Sequence, residues 1–265
     1  VSVFSELPSV LLEKINFNLD GTFPSHEADP LKPENCAQIS AFVKETKSDL
    51  GITTDGDGDR IFFIDDLGRV VSQSIIRGIL AEEVLKKNPG AKICYDIRPG
   101  KITEDLILAA GGVPVVTPVG HSLIKDIAIK EGCAFAGESS GHFFVSRDHG
   151  VYEDPLFVIL TILKRLTLER KKLSELVAKY DKYFHSGEIN FMVKDPKTSI
   201  EFLAVAFADG EQNRLDGISV QYKDCWFNVR GSNTEPLLRL NAEGVSKDVL
   251  ESYVKKISDK IKELG

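Results

Sequence analysis

The sequence has little of what membrane-spanning, secreted or nucleic-acid-binding proteins use. No apolar run approaches the roughly 20 residues that cross a bilayer. The four cysteines lie far apart, without CxxC spacing, which predicts reduced, buried side chains in a cytoplasmic protein. Positive charge is scarce, because 33 Lys and Arg face 40 Asp and Glu, and the net charge of −7 disfavours broad binding to nucleic acid or anionic membranes. We therefore expect neither among the partners.

The order of apolar segments predicts three consecutive units. Residues 1–69 combine helical segments, the first in the opening 15 residues, with two strands around an acidic loop. In residues 70–180 strands and helices alternate, so these two units predict an α/β fold with mixed or parallel sheets and flanking helices. Longer strands in residues 181–265 predict a C-terminal α+β domain, an antiparallel sheet with helices on one face.

Three aspartates alternate with glycine in the run DGDGDR, residues 55–60. The two glycines let the loop curl, so that Asp55, Asp57 and Asp59 converge on one cation. With carboxylate ligands only, that ion should be hard: Mg²⁺, or alternatively Mn²⁺ or Ca²⁺.

Other interpretations of this loop fit the letters less well. An EF-hand beginning at Asp55 needs Gly at its sixth position and Glu at its twelfth, where the sequence has Arg60 and Asp66. A phosphatase-type DxDx[TV] motif needs Thr or Val in place of Asp59. A metal-free acidic turn remains the structural alternative, since Asp and Gly are ordinary turn residues.

Polar side chains also follow two strands of the second unit. Glu138 and Ser140, after the apolar strand CAFA, would face the same side of an extended loop, and a carboxylate with a hydroxyl suits paired sugar hydroxyls. His121 and Arg98 stand at the ends of neighbouring strands, where they would contact substrate and add positive charge. The alternatives are a polar turn and a structural histidine. Three other histidines fit no constellation and are expected to be ordinary surface or loop residues: His26, His149 and His185.

A third loop has the composition of a phosphate cradle. Arg230 offers a planar fork of donors, Ser232 and Thr234 offer hydroxyls, and Gly231 lets backbone amides approach an anion. The same string would also serve as a structural turn.

Four motifs together resemble the α-D-phosphohexomutases, specifically the phosphomannomutase/phosphoglucomutase branch. In family order they are DGDGDR (55–60), GHS (120–122), GESSGH (137–142) and RGSNTEP (230–236). The resemblance implies a four-domain enzyme around a cleft, which interconverts hexose 1-phosphate and hexose 6-phosphate through a phosphoserine and a bisphosphate intermediate. It leaves mannose and glucose phosphates both open as substrates.

The same resemblance implies a role for each site residue. Asp55, Asp57 and Asp59 would bind Mg²⁺. Arg60 and His121 would assist proton transfer or orient the sugar, with Arg98 supplying charge where relatives often have Lys. The residues that would bind the sugar hydroxyls and the far phosphate are Glu138, Ser140, His142, Arg230, Gly231, Ser232, Asn233 and Thr234.

One family feature is missing from the sequence. The family's phosphoserine belongs to a TASHNP-like motif in the first domain, and no such motif occurs here. We therefore expect a chain that lacks the first domain and the opening strand of the second. Such a chain is inactive unless the missing part arrives as another chain, because a covalent nucleophile cannot be replaced. The alternative is a non-catalytic phosphosugar- or metal-binding module.

Overall fold

The computed structural model of the chain describes residues 2–18, 20–98, 100–232 and 235–264. Strands in these ranges form one two-stranded and two five-stranded sheets. The predicted class is confirmed, since a mixed sheet with helices is followed by an antiparallel sheet with helices.

The first sheet is an antiparallel hairpin that carries the acidic loop. Thr54 lies opposite Ile61, so residues 55–60 form the whole connection between its strands. A helix covers the hairpin through the buried side chains of Val43 and Ile64. In chain order the elements are α1 (Ser2–Ser5), a 3₁₀ turn (Pro33–Cys36), α2 (Ala37–Thr46), β1 (Leu50–Thr54) and β2 (Ile61–Asp65).

The longer helix predicted for the opening segment is wrong. Helix α1 ends at Ser5, and residues 7–15 are irregular. Pro8 has no backbone N–H to continue a helix and disfavours the helical conformation at Leu7. Leu11 is 89% exposed, so the apolar stripe gains little burial to stabilise a helix.

The second sheet contains three parallel strands extended by an antiparallel hairpin. Its strands are β3 (Lys92–Asp96), β4 (Val113–Thr117), β5 (Phe135–Gly137), β6 (Phe143–Arg147) and β7 (Gly150–Glu153). The order across the sheet is β4-β3-β5-β6-β7, with β6 and β7 antiparallel to their neighbours. The parallel part accounts for the alternation seen in the sequence, whereas strand β7 was not predicted.

Helices cover both faces of this sheet, as predicted. They are α3 (Gln73–Lys87), α4 (Lys101–Ala109), α5 (His121–Glu131), α6 (Pro155–Glu169) and α7 (Leu173–Val177). Helix α5 packs on one face through Ile124 and Ala128, and the other four helices share a large apolar core on the opposite side. Each fully buried side chain such as Ile79 contributes about 1.5–3 kcal/mol. Asp154 begins α6 by accepting a hydrogen bond from the Phe157 amide at 2.8 Å.

The third sheet is antiparallel, with helices on one face. Its elements are β8 (Phe184–Met192), α8 (Pro196–Ala206), β9 (Glu211–Asn213), β10 (Ile218–Gln221), β11 (Cys225–Gly231), β12 (Leu237–Gly244) and α9 (Lys247–Lys262). The strand order is β8-β12-β11-β10-β9, and both helices pack into one core with the sheet.

A buried carboxylate joins helix α4 of the second unit to the third sheet. Glu243 is fully buried and accepts hydrogen bonds from the backbone N–H of Lys101, at 2.9 Å, and from the Trp226 indole. The N-terminus of α4 favours a negative charge there. His185 Nε2 lies 2.8 Å from the other carboxylate oxygen. His185 is exposed, as expected of a surface residue, and lies on the edge strand of the third sheet.

The four cysteines are free and buried, as predicted. Cys94 and Cys133 lie side by side, with their sulfur atoms 2.9 Å apart. In the described part of the chain, no helix combines the length and the apolar character that a membrane crossing requires.

Candidate active site

The hairpin loop gathers the three predicted metal ligands. One carboxylate oxygen each from Asp55, Asp57 and Asp59 lies within 4.8 Å of the others. Gly58 adopts a φ of +80°, a left-handed conformation that lets the loop close over so short a span. Three carboxylate oxygens are the donors a hard divalent cation prefers, so the residues present fit Mg²⁺.

The negative charges in this loop are crowded. Burial raises the pKa of the Asp59 carboxyl; His142 opposes this, whereas Asp55, Glu153 and Asp57 add to the rise. Like charges at such separations disfavour joint ionisation, and a bound cation would relieve that repulsion.

Arg60 is the last residue of the loop 55–60, the metal loop, and its side chain lies against Asp55 of the same loop. Its Nε lies 2.8 Å from Asp55 Oδ2, its backbone N–H donates to Asp55 Oδ1 at 3.2 Å, and Nη1 lies 3.5 Å from Asp29. These contacts fix the guanidinium beside the cluster, where it can orient an anionic group.

The second loop, residues 137–142, packs against the metal loop. The Ile61 N–H donates to the Gly141 carbonyl at 3.1 Å. Glu138 is buried and accepts from the Gly120 N–H at 3.0 Å and from Ser140 Oγ at 3.1 Å. Glu138 and Ser140 therefore lie on one side of the loop, with a carboxylate and a hydroxyl available together.

A glutamate that sequence reasoning missed connects two of the predicted residues. Glu153, the last residue of β7, lies 3.1 Å from His121 Nε2 through one oxygen and 2.8 Å from His142 Nδ1 through the other. His142 Nδ1 is also 3.6 Å from Asp59. An acidic residue at a strand end was the available signal, but the strand itself was not predicted.

Arg98 is engaged by a buried carboxylate. Its Nε donates to Asp96 at 2.7 Å, and Nη2 donates to the same oxygen and lies 3.9 Å from Glu138. Asp96 also pairs with the fully buried Arg77 at 2.9 Å and accepts from Ser139 Oγ at 2.7 Å. The network ties Arg98 to the loop that holds Glu138.

The third loop places two arginines beside one glutamate. Arg230 and Arg239 are opposite each other on β11 and β12, and both approach Glu188, at 3.1 and 3.4 Å. Burial lowers the pKa of Arg230, with Glu188 opposing the effect. The Nε atoms of both arginines are buried and make no hydrogen bond among the described residues. This excess of cationic donors suits a phosphate.

The remaining residues of that loop are placed only in part. Gly231 and Ser232 follow Arg230 at the end of β11, and the Ser232 N–H donates to the Leu237 carbonyl at 2.9 Å. Asn233 and Thr234 lie outside the described residues.

The three parts of the site form a continuous line of polar groups. Asp59 contacts His142, Glu153 bridges to His121, and Glu138 lies beside Arg98. The charge of Arg98 in turn lowers the pKa of Arg230. Fold and site together bring a carboxylate cluster, a glutamate–serine pair and a pair of arginines into one region of the molecule.

Comparison with known proteins agrees with that description. Three phosphoglucomutase/phosphomannomutase models match: alpha/beta/alpha domain II over residues 2–68, alpha/beta/alpha domain III over 73–183 and the C-terminal domain over 188–260. The chain belongs to the phosphoglucomutase/phosphomannomutase family.

Individual relatives cover most of the chain. It is 43% identical over 250 residues to a phosphomannomutase of Methanocaldococcus jannaschii, covering 94% of this chain and 56% of the relative. A Vibrio cholerae phosphomannomutase is 40% identical over 267 residues, covering 98% and 56%. A crystal structure of a phosphoglucomutase/phosphomannomutase family protein from Burkholderia thailandensis superposes with a TM-score of 0.82 at 32% identity, covering 93% and 54%. The chain thus spans about half the length of these relatives.

Proposed function

We propose that this chain supplies the metal-, sugar- and phosphate-binding loops of a mutase that interconverts hexose 1-phosphate and hexose 6-phosphate. The sugar is mannose or glucose, and the reaction passes through a phosphoserine and a hexose bisphosphate. The serine would come from a further domain, on the same polypeptide or on another chain.

The observation that supports this proposal best is the contact between the metal loop with its strand β2 and the second loop, residues 137–142, which would bind the sugar. The Ile61–Gly141 backbone hydrogen bond and the Asp59–His142 contact, 3.6 Å, join residues that are 80 and 83 positions apart in sequence. A metal-binding hairpin without a sugar site would not need this juxtaposition. Arg230 and Arg239, which lie opposite each other, would then account for recognition of the phosphate at the substrate's other end.

Each group has a definite task in this proposal. Glu138 accepts a hydrogen bond from one sugar hydroxyl, the Ser140 hydroxyl exchanges one with the adjacent sugar hydroxyl, and Arg230 holds the phosphate at the non-reacting end with a planar fork of donors. His121 and Arg60 face the reacting end, where His121 can accept or donate a proton and Arg60 orients an anionic group. Arg98 adds positive charge but scarcely deprotonates, so it does not transfer the proton.

Asp55, Asp57 and Asp59 would hold the metal ion. Mg²⁺ bound there would offset negative charge on a transferring phosphoryl group. Because these 265 residues provide three carboxylates and no phosphoserine, we expect weak Mg²⁺ binding, with water at the remaining positions. Titration calorimetry on the chain and on Asp57→Asn tests this, and unchanged affinity in the variant argues against the assignment.

Catalysis by the 265 residues alone is not expected. No TASHNP-like motif occurs among them, and loss of a covalent nucleophile abolishes turnover rather than reducing it modestly. The purified polypeptide should not convert glucose 1-phosphate to glucose 6-phosphate in a coupled assay with Mg²⁺. Robust turnover would show that the proposal on the nucleophile is wrong.

Binding of substrate is the more direct test. Calorimetry with mannose 1-phosphate and glucose 1-phosphate should show binding that persists without Mg²⁺ and is lost in Arg230→Ala. Arg214→Ala, an exposed arginine in the same domain paired with Glu201, is the matched control and should bind normally. Equal binding by both variants would refute the phosphate site. Metal binding without any sugar phosphate binding would favour a metal-binding module instead.

A further inference from the structure

Four side chains beside the metal loop form a second, chemically different cluster. Asp59, His121, His142 and Glu153 each offer one ligand atom, and these atoms all lie within 4.8 Å of one another. Two of the four are imidazoles, whereas the loop of three aspartates offers carboxylates only. The two clusters share a single residue, Asp59.

The spacing of this cluster is close to that of a tetrahedral metal site. Zinc bonds of about 2.0–2.2 Å place neighbouring ligand atoms about 3.3 Å apart. His142 Nδ1 lies 2.8 Å from Glu153 and 3.6 Å from Asp59, and His121 Nε2 lies 3.1 Å from Glu153. Small rotations of the side chains would therefore place one ion among four donors.

The fold supports these ligands from separate elements. Asp59 precedes β2, His121 is the first residue of α5, and Glu153 ends β7. His142 lies in the turn between β5 and β6 and is only 12% exposed in its side chain. His121 and Glu153 lie on a helix and a strand, and the His142 side chain is largely buried, so these ligands lose little freedom on binding, which favours affinity.

We propose that His121, His142, Glu153 and Asp59 bind a divalent transition-metal ion, Zn²⁺ by preference, at a site distinct from the three aspartates. Imidazole ligands suit Zn²⁺ and disfavour Mg²⁺, and the near-tetrahedral spacing of the donors favours Zn²⁺ over Cu²⁺, which the Irving–Williams order alone would place higher. The ion takes Asp59 away from the aspartate loop and occupies the side chains expected to meet the sugar. Zn²⁺ therefore competes with both Mg²⁺ and sugar phosphate, whereas its binding does not depend on the proposed mutase activity.

Zn²⁺ and Co²⁺ are the probes for this site. Calorimetry in excess Mg²⁺ should give one Zn²⁺ per chain, and Co²⁺ should develop the intense visible absorption of four-coordinate geometry. His142→Ala and Glu153→Gln should each weaken Zn²⁺ binding about ten-fold or more and abolish the Co²⁺ band. His149→Ala, which removes an exposed histidine outside the cluster, should change neither measurement.

Asp57→Asn separates the two sites. This variant removes a ligand of the aspartate loop only, so it should weaken Mg²⁺ binding and leave Zn²⁺ affinity unchanged. Zn²⁺ binding that is lost in Asp57→Asn but survives in His142→Ala would overturn the proposal, because the ion would then occupy the aspartate loop. Absence of Zn²⁺ binding in the wild type would also overturn it. Thermal unfolding followed by circular dichroism verifies that each variant is folded.

Discussion

Replacement of Asp96 by asparagine should strongly destabilise the protein, although it exchanges only one carboxylate oxygen for an amide nitrogen. Asp96 and Arg77 are both fully buried and lie 2.9 Å apart, and Arg98 and Ser139 also donate to the carboxylate. The Asp96→Asn variant keeps the shape of the side chain but removes its charge. It also places the amide NH₂ group of asparagine where the carboxylate accepted hydrogen bonds.

The expected loss follows from the burial of the partner. Arg77 has no exposed surface, so it would be left as an uncompensated charge inside the core. Breaking such a pair by removing one partner typically costs about 3–5 kcal/mol. Asp126→Asn, the same substitution at an exposed position on α5, should change the free energy of unfolding by no more than about 0.5 kcal/mol.

Urea unfolding at pH 7, followed by circular dichroism, measures the difference. With a slope of roughly 3 kcal/mol per molar, the midpoint of Asp96→Asn should fall by about 1–1.7 M. A midpoint equal to that of Asp126→Asn would refute the reasoning, because it would mean that Arg77 finds other partners at no cost.

The pH dependence gives an independent measurement. Burial alone would raise the pKa of Asp96, but Arg98, Arg77 and the hydrogen bonds from Ser139 outweigh it and hold that pKa below its usual value. The stabilisation is therefore fully present above the unfolded-state pKa of about 3.9 and is lost as the pH falls through the folded-state pKa. The gap between wild type and Asp96→Asn should stay constant from about pH 5 to 8 and shrink in acid.

The remaining predictions use the same unfolding assay or a thiol reagent. Gly217→Ala should lower the free energy of unfolding more than Gly187→Ala does. Both glycines have left-handed φ angles, of +68° and +67°, but of the two only Gly217 would bring a Cβ against a carbonyl oxygen, that of Val229, at 2.2 Å. Equal losses of stability in the two variants would contradict this. Glu243→Gln should lower stability by about 1–3 kcal/mol by weakening the bond from Lys101, and an unchanged midpoint would count against that junction. All four cysteines should resist a thiol reagent until denaturant is added, because all are buried.

The alternation of elements could be predicted because it depends on local pattern. Helix Gln73–Lys87 and strands Lys92–Asp96 and Val113–Thr117 belong to the unit in which the sequence predicts alternating strands and helices, because each apolar run is bounded by polar residues. The opening helix failed because periodicity does not guarantee a surface to pack against. Strand β7 was missed because its four residues are too few to show a period.

Within the candidate site, the sequence by itself determined the composition of the three candidate loops, because three aspartates, a glutamate with serines, and an arginine with hydroxyls are each complete within a few residues. The tertiary structure decided which of these groups meet. Glu153 reaches His121 and His142, Arg239 lies opposite Arg230, and Glu243 joins the third sheet to helix α4, across separations that only strand order and packing determine. Such contacts leave no local pattern, since each partner is an ordinary polar residue until the fold brings them together.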